Sequence, residues 1–319
     1  MLDTESRSST PRTQSTGALL AALIVGGVTA IMDTTIVAIG LHTLIVDLGA
    51  PVATIQWVST GYLLALAVTI PFVSWAQSRF GGKRLWLFAL GLLVLGSTLC
   101  ASAWNAESLI AFRILQGIGG GIMFPLMQTL AMQNVPAESR TRTMASVSLP
   151  AALGPILGPV LGGIVLNWLS WRWLFLVNVP IGVVGWVLAL VVLVDERPDP
   201  SAPRQGLDVV GGVLLAPALA GLLYGLSNVH AEGGLTRADV LVPGVGGAVL
   251  LVAFVLWAAH RAGDALVDVR LFAVRSVRVS SVVLTFVGAA LFAGNFLLPL
   301  YFQSLRGDDA LRAALLLIP

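Results

Sequence analysis

The chain has 319 residues, of which 57% are apolar and only 11% are charged, and its formal net charge is +2. A soluble domain carries roughly 25% charged residues, so this chain is too apolar to solvate its own surface and we expect lipid to surround it. The small net charge comes with no basic tract, which argues against nucleic acid as a partner. A single cysteine, Cys100, excludes an intrachain disulfide framework and a cysteine metal cluster. The three histidines show no ligand-like spacing, and we expect neither a metal nor a cofactor.

Long apolar runs follow a polar tail and predict an all-α polytopic membrane protein. A spanning helix needs about 20 mostly apolar residues. Runs of this kind lie near 17–46, 54–77, 83–104, 107–132, 143–166, 172–194, 207–229, 239–260 and 276–304. A further run begins near Ala310 and is cut off at Pro319, which suggests that the sequence is truncated at its C-terminus.

The lysines and arginines between these runs predict the orientation. With a cytoplasmic N-terminus, 13 of the 18 fall on the cytoplasmic side, four fall outside, and Arg113 lies within a run. Cytoplasmic loops of membrane proteins carry such an excess of positive charge. We therefore expect a multi-pass protein of the cell membrane whose N-terminus is cytoplasmic.

Two ionisable residues lie well inside the predicted spans, Asp33 in the first and Arg113 in the fourth. At a rise of about 1.5 Å per residue, Asp33 lies about 24 Å along a helix that enters from the cytoplasm, and Arg113 about 9 Å along one that enters from outside. Both positions fall in the outer half of the bilayer, so the two side chains are placed to face one cavity. Charges within a membrane are expensive and point to function. Two interpretations remain open: a proton or cation-substrate site, and an ion pair that only holds two helices together.

Polar residues on the same helices extend this candidate site. Gln116 follows Arg113 by three residues and so shares its helix face. Gln56 and Tyr62 in the second span are further candidates to line the cavity.

The fifth predicted span contains an unusual stretch, GPILGPVLGG, at residues 154–163. Prolines and glycines break helices in water, but neighbouring helices can satisfy the freed backbone groups within a membrane. Together they predict a kinked, smooth helix face that another backbone approaches closely. The alternative is a packing kink without a transport role. The motif residues are Gly154, Pro155, Gly158, Pro159, Gly162 and Gly163.

Four stretches resemble the major facilitator superfamily, specifically its drug:proton antiporters with fourteen membrane helices. They are MDTTIVAIGLHTLIVDLG in the first span, WVSTGYLLALAVTIP in the second, RILQGIGGG in the fourth and GPILGPVLGG in the fifth. The resemblance implies that Asp33 is the acidic residue of the helix-one signature. It also implies that the glycine face of the fifth helix meets the second half of the transporter.

The loop between the second and third spans departs from the superfamily pattern. It reads SWAQSRFGGKR, with Ser74 and Ser78 where the pattern has glycine and aspartate. In the family that aspartate helps to lock a cytoplasmic gate through charge pairing, so its absence here bears on the strength of that gate and not on the fold. The residues assigned to this gate loop are Ser78, Arg79, Gly81, Lys83 and Arg84.

The resemblance also implies a division of the chain. The predicted parts are a disordered cytoplasmic tail (1–16), an N-terminal six-helix half (17–194), a cytoplasmic linker (195–206), two inserted helices (207–260), a cytoplasmic loop (261–275) and the start of the C-terminal half (276–319).

The expected activity is proton-coupled efflux of amphipathic drugs or toxic compounds by alternating access, with the proton gradient as energy source, and a role in antibiotic resistance. The expected partners are the lipid bilayer, a small amphipathic substrate and protons. No enzymatic constellation is present, and GIGGGIM lacks the ending of a phosphate-binding loop. Two alternatives remain: an exporter of one specific metabolite or antibiotic, and a non-transporting truncated membrane fragment.

Overall fold

The computed structural model describes residues 16–316 with gaps. Residues 1–15, 134, 136, 196–205, 230–236, 262–264, 308–311, 313–315 and 317–319 lie outside the described part. The predicted tail and linker therefore fall almost wholly outside it, as does most of the run after Ala310.

The described residues form helices and no strand. The α-helices are α1 (Thr16–Leu48), α2 (Val52–Thr69), α3 (Val73–Phe80), α4 (Gly82–Ala101), α5 (Ala106–Met132), α6 (Arg140–Trp168), α7 (Trp173–Leu176), α8 (Asn178–Val192), α9 (Val209–Ser227), α10 (Ala238–His260) and α11 (Arg275–Ser304). The predicted all-helical class is confirmed.

Seven segments of the described chain are long and apolar enough to cross a membrane, and they coincide with predicted runs. The second run is divided where Pro71 enters a 3-10 turn, Ile70–Phe72, between α2 and α3, because proline lacks the N–H that a continuing helix requires. Two further predicted runs, the fifth and ninth, are matched by the 29 residues of α6 and the 30 residues of α11. The chain is a multi-pass membrane protein.

The first helix occupies the centre of the unit formed by α1–α8, where it packs against α2, α5, α6 and α8. Two apolar clusters fill the space between these helices. One surrounds Leu23 and Trp86, and the other surrounds Ile36 and Phe175. Asp33 lies on α1 between the two clusters, with apolar packing on either side of it.

The pair α9 and α10 forms a close hairpin beside this unit. A side chain at Gly225 would meet the backbone of Gly244, with only 3.0 Å from its Cβ to the Gly244 Cα, so glycine permits this approach. The hairpin contacts the α1–α8 unit through α2, where the rings of Trp57 and Tyr224 lie 5.5 Å apart.

A buried carboxylate ties the start of this hairpin to its end. Asp208, immediately before α9, accepts hydrogen bonds from the backbone N–H groups of Gly211 (2.9 Å) and Leu266 (3.1 Å) and from the indole of Trp257 (3.1 Å). Burial opposes its ionisation, but these bonds and the nearby charge of Arg261 outweigh that effect and hold the pKa of Asp208 below its usual range.

Candidate functional site

Asp33 and Arg113 meet inside the helix bundle as a direct ion pair. The Nη1 atom of Arg113 lies 2.6 Å from Oδ2 of Asp33, and both side chains are fully buried, at 1% and 0% exposure. The two charges that the sequence places at similar depth therefore lie in direct contact with each other. Their buried position means that each charge depends on the other, because an isolated charge in a low-dielectric interior is strongly unfavourable.

Gln116 bonds to both members of the ion pair. Its Nε2 donates to Oδ1 of Asp33 (2.9 Å) and to the hydroxyl of Ser97 (2.6 Å), while its Oε1 accepts from Nη1 of Arg113 (2.7 Å). An arginine can only donate hydrogen bonds. The carboxamide of Gln116 is consequently held in one orientation, between the two charges.

Tyr62 and α2 hold the guanidinium from the other side. The Arg113 Cζ atom lies 4.0 Å from the centre of the Tyr62 ring, a distance suited to a cation–π contact. The Nε of Arg113 donates a hydrogen bond to the backbone carbonyl of Val58 (3.1 Å). The hydroxyl of Tyr62 donates a hydrogen bond to the backbone carbonyl of Ala30 (3.4 Å). Tyr62, which the sequence analysis offered as a cavity-lining residue, thus contacts Arg113 directly.

Glycines bring the three helices close enough for these contacts. A side chain at Gly117 would lie 2.5 Å from the carbonyl oxygen of Tyr62, and one at Gly96 would lie 2.9 Å from the Cα of Gln116. Both collisions are with rigid or buried backbone, so α2 and α4 reach α5 at this depth because these positions have no Cβ.

Gln56 does not join this network. Its side chain is exposed near the start of α2, on a different face from Val58, and it is not among the groups that bond to Asp33 or Arg113. Placing Gln56 in the second span could not establish which way it points.

Asn178, which the sequence reasoning missed, contacts Asp33 directly. It is the first residue of α8 and is fully buried. Its Nδ2 donates to Oδ1 of Asp33 at 2.7 Å. The signal was present, since Asn178 is an amide in a stretch of apolar residues, but a search limited to ionisable groups passes over it.

The gate loop lies at the junction of α3 and α4. Gly81 occupies the turn with φ 83°, a conformation that suits glycine, while Ser78 and Arg79 are exposed. Lys83 donates to the carbonyls of two residues at the end of α8, at 2.7 and 2.6 Å. Arg84 forms an exposed ion pair with Asp195 at 3.0 Å. The loop therefore holds the C-terminal end of α8, the last helix of the α1–α8 unit.

Among the described residues, the glycine face of α6 packs against α1, within the same unit, whereas the resemblance implied a contact with the second half, of which only α11 is described. Side chains added at Gly154 and Gly158 would collide with Ile31 and Thr35 of α1, and one at Gly162 would lie 2.6 Å from Ile39. The hydroxyl of Thr35 also donates to the carbonyl of Gly154 at 3.0 Å. The glycines let α1 approach, so they fix the helix that carries Asp33.

The remaining motif residues continue this helix. Pro159 and Gly163 are buried in α6, and Pro155 lies in the same helix with a side chain outside those described. The helix runs without a break from Arg140 to Trp168, so the two prolines are tolerated inside it, as the sequence predicted.

A polytopic helical membrane protein with a buried, hydrogen-bonded ion pair is thus the class that fold and site define. The profile of the Major Facilitator Superfamily matches residues 23–319. The chain belongs to this superfamily.

Similar proteins include several with drug-resistance names. The Multidrug resistance protein B homolog of Mycobacterium tuberculosis is 37% identical over 296 residues, covering 93% of this chain and 54% of the relative. The Putative multidrug resistance protein MdtD of Serratia proteamaculans is 34% identical over 290 residues, covering 90% and 59%. The chain thus spans somewhat more than half the length of these relatives.

A solved structure supports the fold. The chain is similar to the crystal structure of peptide transporter POT in complex with sulfate, with a TM-score of 0.61 and 17% sequence identity, covering 93% of this chain and 65% of that one.

Proposed function

We propose that this chain is part of a secondary active transporter that exports amphipathic, cationic compounds in exchange for protons. It resides in the cell membrane with a cytoplasmic N-terminus, and the complete protein has fourteen membrane helices. Transport rather than catalysis is the activity that its superfamily and the names of its relatives support.

The buried pair of Asp33 and Arg113 carries this proposal. Asp33 is a carboxylate between two apolar clusters, and its ionised form is stabilised by one counter-charge and two amide donors. Protonation removes the negative charge and leaves Arg113 without its counter-ion. One proton therefore changes the stability of a contact that joins α1 to α5, which is what a coupled transporter requires.

A cationic substrate acts on the same carboxylate. A positive charge that approaches Asp33 competes with a bound proton, because either one neutralises the carboxylate. When neither a proton nor a substrate is bound, Arg113 neutralises the negative charge of Asp33. Gln116 and Tyr62 hold Arg113 in place throughout, by a hydrogen bond and a ring contact.

Alternating access supplies the motion in this proposal. One half of such a transporter moves against the other around a fixed site near the middle of the membrane. In the α1–α8 unit, the glycine contacts between α1 and α6 keep the helix of Asp33 firmly attached, so the unit moves as one body against the part that begins at α11.

A transport assay in lipid vesicles tests the proposal. The complete protein is reconstituted, a pH gradient is imposed, and the movement of ethidium, a planar amphipathic cation, is followed by fluorescence. We expect Asp33→Asn to abolish the pH-driven movement while the protein still inserts into the membrane.

The matched control is Asp239→Asn, which neutralises the carboxylate of the exposed pair with Arg237 (2.7 Å; 43% and 45% exposed). We expect this variant to transport at the rate of the natural protein. Equal transport by Asp33→Asn and Asp239→Asn would overturn the proposal.

A further inference from the structure

The carboxamide of Asn178 has one bonded end and one unbonded end. Because an ionised carboxylate only accepts hydrogen bonds, Asn178 must present its NH2 group to Asp33, as the 2.7 Å contact shows. Among the described residues, no group donates to Oδ1 of Asn178, although this atom is buried. A buried acceptor without a partner is uncommon and calls for an explanation.

Gln116, the other amide on Asp33, differs in this respect. Both of its Nε2 hydrogens and its Oε1 are engaged, and the donor-only Arg113 fixes which end faces which neighbour. Rotating Gln116 by 180° would place two donors against each other. Rotating Asn178 would break only its bond to Asp33.

Few other groups near Asn178 could change their charge with pH. Among the described residues around Asp33, the ionisable side chains are Arg113 of α5, Tyr62 of α2 and Cys100 of α4, whose Sγ lies 3.6 Å from Oε1 of Gln116. The sequence has no ionisable residue between Thr143 and Trp171, a range that covers most of α6, and none within α8. The state of Asn178 therefore follows the charge of Asp33.

We propose that Asn178 is a positioning residue for the protonation of Asp33 and that its carboxamide rotates with each proton. When a proton arrives from water, an O–H bond forms at Oδ1 of Asp33. The amide turns by 180° about its Cβ–Cγ bond, and Oδ1 of Asn178 accepts from the new hydroxyl. When the proton leaves to water, the amide turns back and donates again.

This arrangement keeps Asp33 bonded in both of its protonation states. In the orientation described, the far end of the amide has no partner, so no hydrogen bond there holds the amide against the turn, and the protonation state of Asp33 decides which end faces it. The inference rests on the proposed function, because it assumes that Asp33 takes up and releases a proton during exchange.

Infrared difference spectroscopy of the complete protein in lipid, between high and low pH, tests it. The carbonyl band of protonated Asp33 is identified by its loss in Asp33→Asn. The carboxamide band of Asn178 is identified by its loss in Asn178→Leu and its retention in Asn228→Leu. The control Asn228 is an amide at the end of α9 that donates to a backbone carbonyl of its own helix.

We expect the Asn178 carbonyl band to move to lower frequency when Asp33 becomes protonated, because that oxygen changes from unbonded to bonded. A band that stays in place would overturn the proposal, since Asn178 would then remain a fixed donor. The absence of any acid band for Asp33 at every pH would instead overturn the proposed function.

Transport provides a second readout. We expect Asn178→Leu to slow pH-driven ethidium movement by about tenfold, the effect of one lost hydrogen bond, and Asn178→Ser to restore part of the rate, because a hydroxyl both donates and accepts. Asn178→Ser also removes the amide band if the leucine variant does not fold. A serine variant no faster than a folded leucine variant would contradict the proposal.

Discussion

The strongest energetic consequence of the structure is that Asp33 and Arg113 are coupled. Removing one partner of a buried ion pair typically costs about 3–5 kcal/mol, because the other charge is left uncompensated. We expect Asp33→Asn and Arg113→Leu each to lower the free energy of unfolding by an amount in this range. The double variant contains no unpaired charge, so its loss should fall short of the sum by about 2–3 kcal/mol.

The exposed pair of Arg237 and Asp239 provides the matched cycle. Its two atoms are 2.7 Å apart, close to the 2.6 Å of the buried pair, but exposed pairs contribute about 0.2–1 kcal/mol. Both cycles are measured by equilibrium unfolding in mixed micelles as a denaturing detergent replaces a mild one. A coupling energy for Asp33 and Arg113 no larger than that of the exposed pair would refute the reasoning.

Three further predictions concern the support of the site. Gly158→Leu should lower the yield of folded protein in size-exclusion chromatography, because the new side chain collides with Thr35, whereas Gly246→Leu on α10, which has open space, should not; equal yields would contradict the packing role. Lys83→Met should cost about 1 kcal/mol of stability through the lost interaction with the end of α8, and an unchanged unfolding midpoint would contradict it. The pKa of Asp208 is held below its ordinary value, so the ionised carboxylate stabilises the fold at any pH above that ordinary value, and this stabilisation should disappear as the pH falls through the pKa of the folded state. Hydrogen exchange at the backbone N–H of Gly211 measures this loss. The same pH dependence of exchange in Asp208→Asn as in the natural protein would contradict the prediction.

Much of the site could be predicted because charge is rare inside a membrane span. Asp33 and Arg113 stand out against their apolar neighbours, and the constant rise of a helix places them at the same depth. Gln116 follows from helical periodicity, since it lies three residues from Arg113. These inferences need only the sequence within one helix and the direction in which each helix runs.

The remaining features depend on how different helices are rotated against each other. Gln56 is exposed and outside the hydrogen-bond network although it lies two residues from Val58. Asn178 contacts Asp33 although it is uncharged and stands among apolar residues. The partner of the glycine face on α6 is another example, because a smooth helix face does not specify the helix that it meets. Rotation and pairing are set by contacts between distant parts of the sequence.

The most direct test of the central claim, that a proton and a cationic substrate compete for Asp33, is proton release on binding. Ethidium is added to the purified complete protein in weakly buffered solution over a series of pH values, and the pH change is recorded with the amount bound. We predict proton release that follows ethidium binding in the natural protein and in Asp239→Asn, and none in Asp33→Asn. Binding without proton release in the natural protein, or equal release from Asp33→Asn, would contradict the account.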